Sequence, residues 1–306
     1  MEPRPDAVDP IILGHNQFIG VSHLSQEAAR TRVERFSDIG KVGDVIKFCV
    51  EHGVRGLMLS THPRARDILD YLKAEGLSGE LNIYPLIPYA QGYVRRMNAV
   101  GMTGMVREIF ASAPLGTKAS IAARAGMGYL RKDFTRALGA FIDIEMLLFK
   151  DFNVKAIFLH DAFVDLALAL GAAEQVAFFG EHVSKRYGAR PAFVTMNFPL
   201  LVRSFEEWGL EKPLVMTTFN KAGFQMNPSK DECEKCLAGG GADIVAMSTL
   251  AAGYLRPAEA YPYLFSLPNI SSVAVGVSTP EHAGETFDII RNCSAWPVDP
   301  AGGSGG

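Results

Sequence analysis

Eight short apolar runs, separated by segments of helical periodicity, constrain the folding of this chain more than any other feature. The runs are Ile11 to Phe18, Val54 to Thr61, Leu81 to Pro88, Val154 to His160, Ala192 to Asn197, Pro213 to Phe219, Ile244 to Ser248 and Ser272 to Val277. A strand covered on both faces reads as such a run, because neither side needs polar residues. Between the runs, segments such as Val42 to Gly53, Pro63 to Gly76 and Ser229 to Gly239 follow turn or cap signals and end in glycine, as helices do. β-α-β crossovers within one sheet are nearly always right-handed, so eight in succession curl into a closed (β/α)8 barrel. The competing architecture is a doubly wound open sheet. Its glycine fingerprint is missing after the first strand, where the chain reads GHNQFIG rather than GxGxxG.

The predicted domain is a single α/β unit over residues 1–294, a TIM barrel with a helical insertion after strand 3 at residues 91–150. The insertion exceeds what one crossover helix needs and would lie over the barrel mouth as a lid or form an oligomer interface. Residues 21 to 41 form an extended first loop with a short charged helix, and the Gly/Ser-ended tail, residues 295–306, is expected to be disordered.

An apolar fraction of 48% supplies a barrel core, and a net charge of -3 without basic runs gives no reason to bind nucleic acid. No uncharged apolar segment of about 18 residues is present and the first ten residues lack a signal-peptide pattern, so no membrane partner and a cytoplasmic location are expected. The expected partner is a small-molecule substrate, with a homo-oligomer compatible with the insertion. Four cysteines, Cys49, Cys233, Cys236 and Cys293, are too scattered for a disulfide framework. The CxxC of Cys233 and Cys236 falls in a predicted helix and reads as two small residues one turn apart.

Barrel active sites form where strands end and the following loops begin. The residues there are His15, Asn16 and Gln17 after the first strand; Ser60, Thr61 and His62 after the second; Tyr89 after the third; and His160 and Asp161 after the fourth. Asn197 follows the fifth, Thr217, Thr218, Asn220 and Lys221 the sixth, Ser248 and Thr249 the seventh, and Ser278 and Thr279 the eighth. Three of the seven histidines thus stand at strand ends, where imidazole can move protons near neutral pH. His15, His62, His160 and Asp161 are also candidate ligands for a divalent metal, although no strand carries a paired HxH. Lys221, if desolvated, is a candidate Schiff-base amine. The last two loops, Ser248-Thr249-Leu250 and Gly276 to Thr279 leading into a helix at Pro280, offer small residues and backbone N–H groups suited to phosphate.

On AIFLHD, ADIVAMSTLAAGYL and VAVGVSTPEHAGET, the stretch from Val154 to about Ile290 resembles the aldo-keto reductase superfamily. The resemblance implies His160 as the substrate-facing histidine and Asn197 beside a nicotinamide. It also implies Ser248 and Leu250 along the pyrophosphate and Ser278, Thr279, His282 and Glu285 near the adenosine end of NADP, with Thr249 and Gly276 in the same cofactor-binding loops. The first half departs from that family. GLMLSTHPRARDIL occupies the place where the family has an aspartate and then a catalytic tyrosine and does not supply them at those positions, and LNIYPLIPYA shows no lysine on the third strand. The function implied is NAD(P)H-linked reduction of a small carbonyl compound with a histidine, His160 or His62, as acid. The alternative is a non-redox lyase or isomerase, cofactor-independent or metal-assisted, acting on a phosphorylated or carboxylated metabolite.

Overall fold

A computed structural model describes residues 8–20, 30, 34–89 and 134–293. Eight parallel strand positions close into a ring: β1 (Ile11–Leu13), β2 (Gly56–Ser60), β3 (Asn82–Ile87), β4 in two segments (Asn153–Val154 and Ala156–Leu159), β5 (Arg190–Val194), β6 (Leu214–Thr218), β7 (Asp243–Met247) and β8 (Ile270–Val275). Each strand pairs with the next, and β8 returns to β1 through Ile12↔Ala274, so the sheet has no open edge. This is the (β/α)8 barrel expected from the sequence. The helices among the described residues are α1 (Ile39–Glu51), α2 (Pro63–Ala74), α3 (Phe134–Met146), α4 (Asp161–Leu170), α5 (Ala173–Tyr187), α6 (Phe198–Glu207), α7 (Lys230–Ala238), α8 (Pro257–Ser266) and α9 (Pro280–Cys293).

Strand alternation divides the core in two. Ile12, Met58, Tyr84, Ala156, Phe158, Ala192, Val194, Leu214, Met216 and Val245 fill the barrel interior. Their neighbours Leu13, Leu57, Leu59, Ile83, Ile157, Leu159, Val215 and Ile244 face the helices. This two-residue period fixes which side chains beyond each strand point into the barrel. The sheet requires a glycine at Gly56, where a Cβ would lie 2.7 Å from the Ile11 carbonyl oxygen of the adjoining strand.

The strand at the N-terminal end of the barrel is closed by a polar plug. Tyr84, deep in the interior, donates its hydroxyl to Asp9 Oδ2 at 2.5 Å, while Asn82 donates to both oxygens of the same carboxylate at 3.0 and 2.9 Å. Ser272 donates to the Asp9 carbonyl at 2.6 Å. Buried polar groups are tolerable here because each finds a partner.

β1 is shorter than predicted. It stops at Leu13, and His15–Gln17 form a single 3-10 turn, because Gly14 is the last residue to pair with β8, through Val275. The remaining strands and the three named helices match their sequence runs within a few residues. The insertion is described only from Phe134 onward, as α3 and the turn Leu147–Phe149. Residues 90–133, the tail from 294 and most of the charged first-loop segment lie outside the described residues.

Candidate active site

The C-terminal mouth gathers the polar residues that continue the interior phase of the strands. Ser60 follows Met58, His160 follows Phe158 and Thr218 follows Met216 at two-residue spacing, so all three point inward. His62, two residues beyond Ser60, keeps that phase. His15 comes from the turn after β1 and is buried at 6% exposure.

His62 and His160 have the same local build. Each is the N-cap of the next helix, in extended conformation at φ/ψ of -60/145 and -63/143, and each places Nδ1 against the amide two residues on. Arg64 N donates to His62 Nδ1 at 3.1 Å, and Ala162 N lies 3.2 Å from His160 Nδ1. An N-cap acceptor satisfies one of the orphan amides of the first turn, which explains why imidazole, a poor core residue, is held firmly here. In the tautomer with Nδ1 accepting from Arg64 N, the ring proton of His62 sits on Nε2.

His160 differs because Asp161 adjoins it. His160 Nδ1 lies 2.6 Å from Asp161 Oδ1, a length typical of a charge-assisted hydrogen bond. Nδ1 cannot accept from the Ala162 amide and donate to Asp161 at once, so a proton on Nδ1, which forms the ion pair with Asp161, displaces the Ala162 cap bond. Burial pushes the Asp161 carboxyl up, but the His160 hydrogen bond and charge, aided by the Asp161 and Ala162 amides, hold it below the usual carboxylate range. Asp161 therefore stays ionised, and Nε2 of His160 is left to take or give a proton.

The buried His15 is pushed down to about 3, first by desolvation and then by the charges of His62 and His160. It is a neutral imidazole near neutral pH, within electrostatic reach of both other rings. Together the mouth holds a neutral His15, an Nε2–H donor on His62 and a carboxylate-backed His160.

Two supporting groups were not legible in the sequence. Glu145 of α3, 6% exposed, accepts a short hydrogen bond from Thr61 Oγ1, and Tyr89 N donates to that hydroxyl at 3.3 Å. The Tyr89 ring meets the His62 ring edge-on at 5.0 Å between centroids. Glu145 thus braces the β2 and β3 ends that frame His62. On the other side Asp165 of α4 accepts from Thr195 Oγ1 at 2.5 Å and from Met196 N at 3.1 Å. Desolvation raises the Asp165 carboxyl, and the charge of Asp161 adds to this, against the opposing Thr195 and Met196 hydrogen bonds. Their outward placement follows from the strand phase: Thr61 and Thr195 alternate with inward residues and reach helices rather than the mouth.

The remaining candidates are placed as follows. Asn16 is partly buried in the β1 turn beside His15. Asn197 caps α6, accepting from Leu200 N at 3.2 Å. Asn220 is buried and ties its own loop, donating to the Phe224 carbonyl at 2.8 Å and accepting from Phe224 N at 2.9 Å. Lys221 is exposed in that loop, so the desolvated setting that a Schiff-base role required is not what the fold provides. Among the described residues no three His, Cys, Asp or Glu side chains come together to hold a metal ion, which removes the geometric basis for His15, His62, His160 and Asp161 as a ligand set. Cys233 is buried, its thiol pushed up to about 11 chiefly by desolvation, in keeping with a packing role.

After β7 the chain is locally strained. Ser248, Ala251 and Ala252 have φ of 53, 48 and 58, a left-handed region that costs a non-glycine residue energy and is concentrated at functional sites. Thr249 beside them is buried. After β8, Gly276 is exposed, and Thr279 caps α9 by accepting from His282 N at 3.2 Å. Glu281 in the first turn is held below the usual range by its own amide and the Thr279 hydroxyl. His282 and Glu285 are exposed on the same helix.

The sequence matches no family model and no curated protein. Among solved structures, a Pseudomonas aeruginosa protein provisionally described as an aldo-keto reductase superposes over 95% of this chain and 95% of its own, with a TM-score of 0.56 at 13% identity. A second structure so described, from the same organism, gives 0.56 at 13% identity over 95% of this chain and 94% of its own. A Bacillus halodurans aldo-keto reductase in its holo form aligns over 83% and 82% of the two chains at 10% identity, with a TM-score of 0.49. The fold is therefore one that aldo-keto reductases also adopt. Among the described residues no helix is long and apolar enough to cross a membrane.

Proposed function

We propose that this chain is an oxidoreductase that reduces a small carbonyl compound with hydride from a nicotinamide cofactor, His160 acting as the proton donor. The observation that carries the reading is the 2.6 Å contact between His160 Nδ1 and the ionised Asp161 at the inward end of β4. A reductase needs an acid for the developing alkoxide, and the expected tyrosine and lysine are missing. An imidazolium whose charge is balanced by a carboxylate on Nδ1 can release its Nε2 proton to the substrate oxygen. His62, protonated on Nε2, donates a second hydrogen bond that polarises the carbonyl, as a neutral imidazole can. His15, neutral and buried, adds no positive charge that would oppose protonation of His160.

A bound nicotinamide cofactor would supply the hydride. Residues suited to its diphosphate are Ser248, Thr249 and Leu250 in the strained β7 loop, with Asn197 and Gly276 nearer the mouth. The adenosine end falls to Ser278, Thr279, His282 and Glu285. The donor set there fits a dinucleotide, but Glu281 already sets a carboxylate against the first turn of α9. That arrangement favours a cofactor without a phosphate on its adenosine ribose, and so NADH over NADP(H).

A lyase or isomerase reading is favoured by one observation, the same His160–Asp161 pair, which can shuttle a proton next to a carbonyl without any hydride. Thermal denaturation with NADH and NADPH separates the two. A cofactor at one hundred times its dissociation constant should stabilise the fold by about 2.7 kcal/mol. No shift with either nucleotide would remove the reductase reading and leave the non-redox one.

A further inference from the structure

Below the histidines, the barrel floor carries two buried hydroxyls that the fold itself does not use. Ser60 and Thr218 are each 2% exposed, and among the described residues neither Ser60 Oγ nor Thr218 Oγ1 has a hydrogen-bond partner. The third such atom, Arg291 Nε, belongs to a guanidinium whose other two nitrogens are engaged, by Asp288 and by the His52 carbonyl. The two hydroxyls have no such compensation. Both continue the interior phase, two residues beyond Met58 and Met216. They stand on β2 and β6, four positions apart in a ring of eight and therefore on opposite walls of the same mouth.

Among the described residues, the buried side-chain polar atoms below this layer are paired, in the plug of Asp9, Tyr84, Asn82 and Ser272. A fold that pairs its buried polar atoms at one end and leaves two orphaned at the other has not simply filled space. Alanine and valine would fit the same positions without the cost of a desolvated, unpaired hydroxyl. The residues around the pair are partly open to the mouth: Leu86 beside Ser60, and Met196 and Met247 on either side of Thr218. None of these apolar side chains can satisfy a hydroxyl, whereas a ligand entering between them can.

We propose that Ser60 and Thr218 are specificity-determining residues that bind oxygen substituents of the substrate flanking its reacting carbonyl. This rests on the carbonyl reading above and narrows it: the substrate class is a hydroxylated aldehyde or ketone rather than an alkyl or aryl one. Each hydroxyl can donate to and accept from a substrate hydroxyl on its own wall, while His62 and His160 hold the carbonyl oxygen above. A ligand lacking those oxygens leaves both protein hydroxyls unpaired in the complex, which is the arrangement that discriminates most strongly against it.

The test uses dihydroxyacetone and its isostere 3-pentanone, which have the same heavy-atom connectivity and differ in that methyl groups replace the two hydroxyls. With the full chain, saturation-transfer NMR and NAD(P)H oxidation are followed for wild type, Ser60→Ala, Thr218→Val and the double variant. Wild type should bind and turn over dihydroxyacetone in preference to 3-pentanone. Each single variant should lose about tenfold in kcat/KM and a comparable part of the dihydroxyacetone NMR signal, with 3-pentanone unchanged. Because an orphan hydroxyl contributes nothing to the fold, the variants should melt at or above the wild-type temperature. Equal losses on both ketones, or no change in selectivity, would overturn the proposal. A lowered melting temperature would also overturn it, by marking the hydroxyls as structural. Should neither ketone be reduced while dihydroxyacetone still binds through Ser60 and Thr218, the reductase reading fails and the floor assignment stands.

Discussion

His62 and His160 occupy the same position in two strand-turn-helix units, after β2 and β4, with nearly identical backbone angles and Nδ1 turned toward the helix in both, and Asp161 Oδ1 lies 2.6 Å from Nδ1 of His160. In the proposed mechanism His62 donates from Nε2 and His160 transfers its proton. Asp161→Asn removes the charge beside His160 while keeping a hydrogen-bonding group of the same shape. We expect turnover to fall roughly 10²- to 10⁴-fold, with KM little changed. The fold should lose no more than about 1 kcal/mol, from weaker compensation of the α4 dipole. A steady-state assay beside a melting curve checks both, and unchanged kcat would deny His160 its role.

Acid should destabilise the fold through His15. Its folded value of about 3 lies below the ordinary 6.5, so between those limits the unfolded chain binds a proton that the folded chain does not. Stability is therefore complete above about pH 6.5 and declines as pH falls, at about 1.4 kcal/mol per unit for this group. His15→Gln should flatten that slope between pH 6.5 and 5, where carboxylates contribute little. Urea melts across this range read the slope directly, and parallel slopes in the two proteins would contradict the assignment.

The barrel and its inward residues could be read from the sequence because a strand buried on both faces leaves a continuous apolar mark, and its last polar residue marks the rim. His62 and His160 were legible on that ground. Lys221 was misleading because the same rule stops at the strand end, and three residues past Thr218 the chain is already in solvent. Glu145 and Asp165 were not legible at all. Each looks like an ordinary polar residue of an amphipathic helix, and its partner lies 84 or 30 residues away across the barrel wall. Ser60 and Thr218 show the converse. Their burial follows from alternation, but that they would remain unpaired depends on every neighbouring wall residue at once.

The Asp165 brace makes its own prediction. Thr195 donates to Asp165, accepts from Asn197 N at 3.0 Å, and receives the Thr217 hydroxyl on its backbone carbonyl at 2.9 Å, so one residue ties α4, β5 and β6 together below the mouth. Thr195→Val keeps the shape and leaves the half-buried Asp165 carboxylate and the Asn197 amide short of a partner. A loss of about 1 to 3 kcal/mol in unfolding free energy is expected. Thr217→Val, which removes a donor from a carbonyl already in the sheet, should cost less than that. A denaturant titration of the two variants ranks them, and the opposite order would show that Asp165 is not the group that depends on this link.

Glu281 sets the final expectation, which concerns the nucleotide. Its own amide and the Thr279 hydroxyl, at the start of α9, hold its carboxyl below the usual range, and they are first-turn groups that a ribose phosphate would need. A dianionic phosphate placed there would displace the carboxylate and face its charge at close range, whereas an unmodified ribose would meet neither cost. NADH should therefore shift the melting temperature more than NADPH at equal concentration. Glu281→Gln should narrow or invert that preference by strengthening NADPH binding about tenfold, leaving NADH within twofold. The effect should shrink with added salt, because Glu281 is exposed and its repulsion is screened. Preference for NADPH in the wild-type protein, unaltered by the substitution, would place the adenosine end of the cofactor somewhere other than the α9 N-terminus.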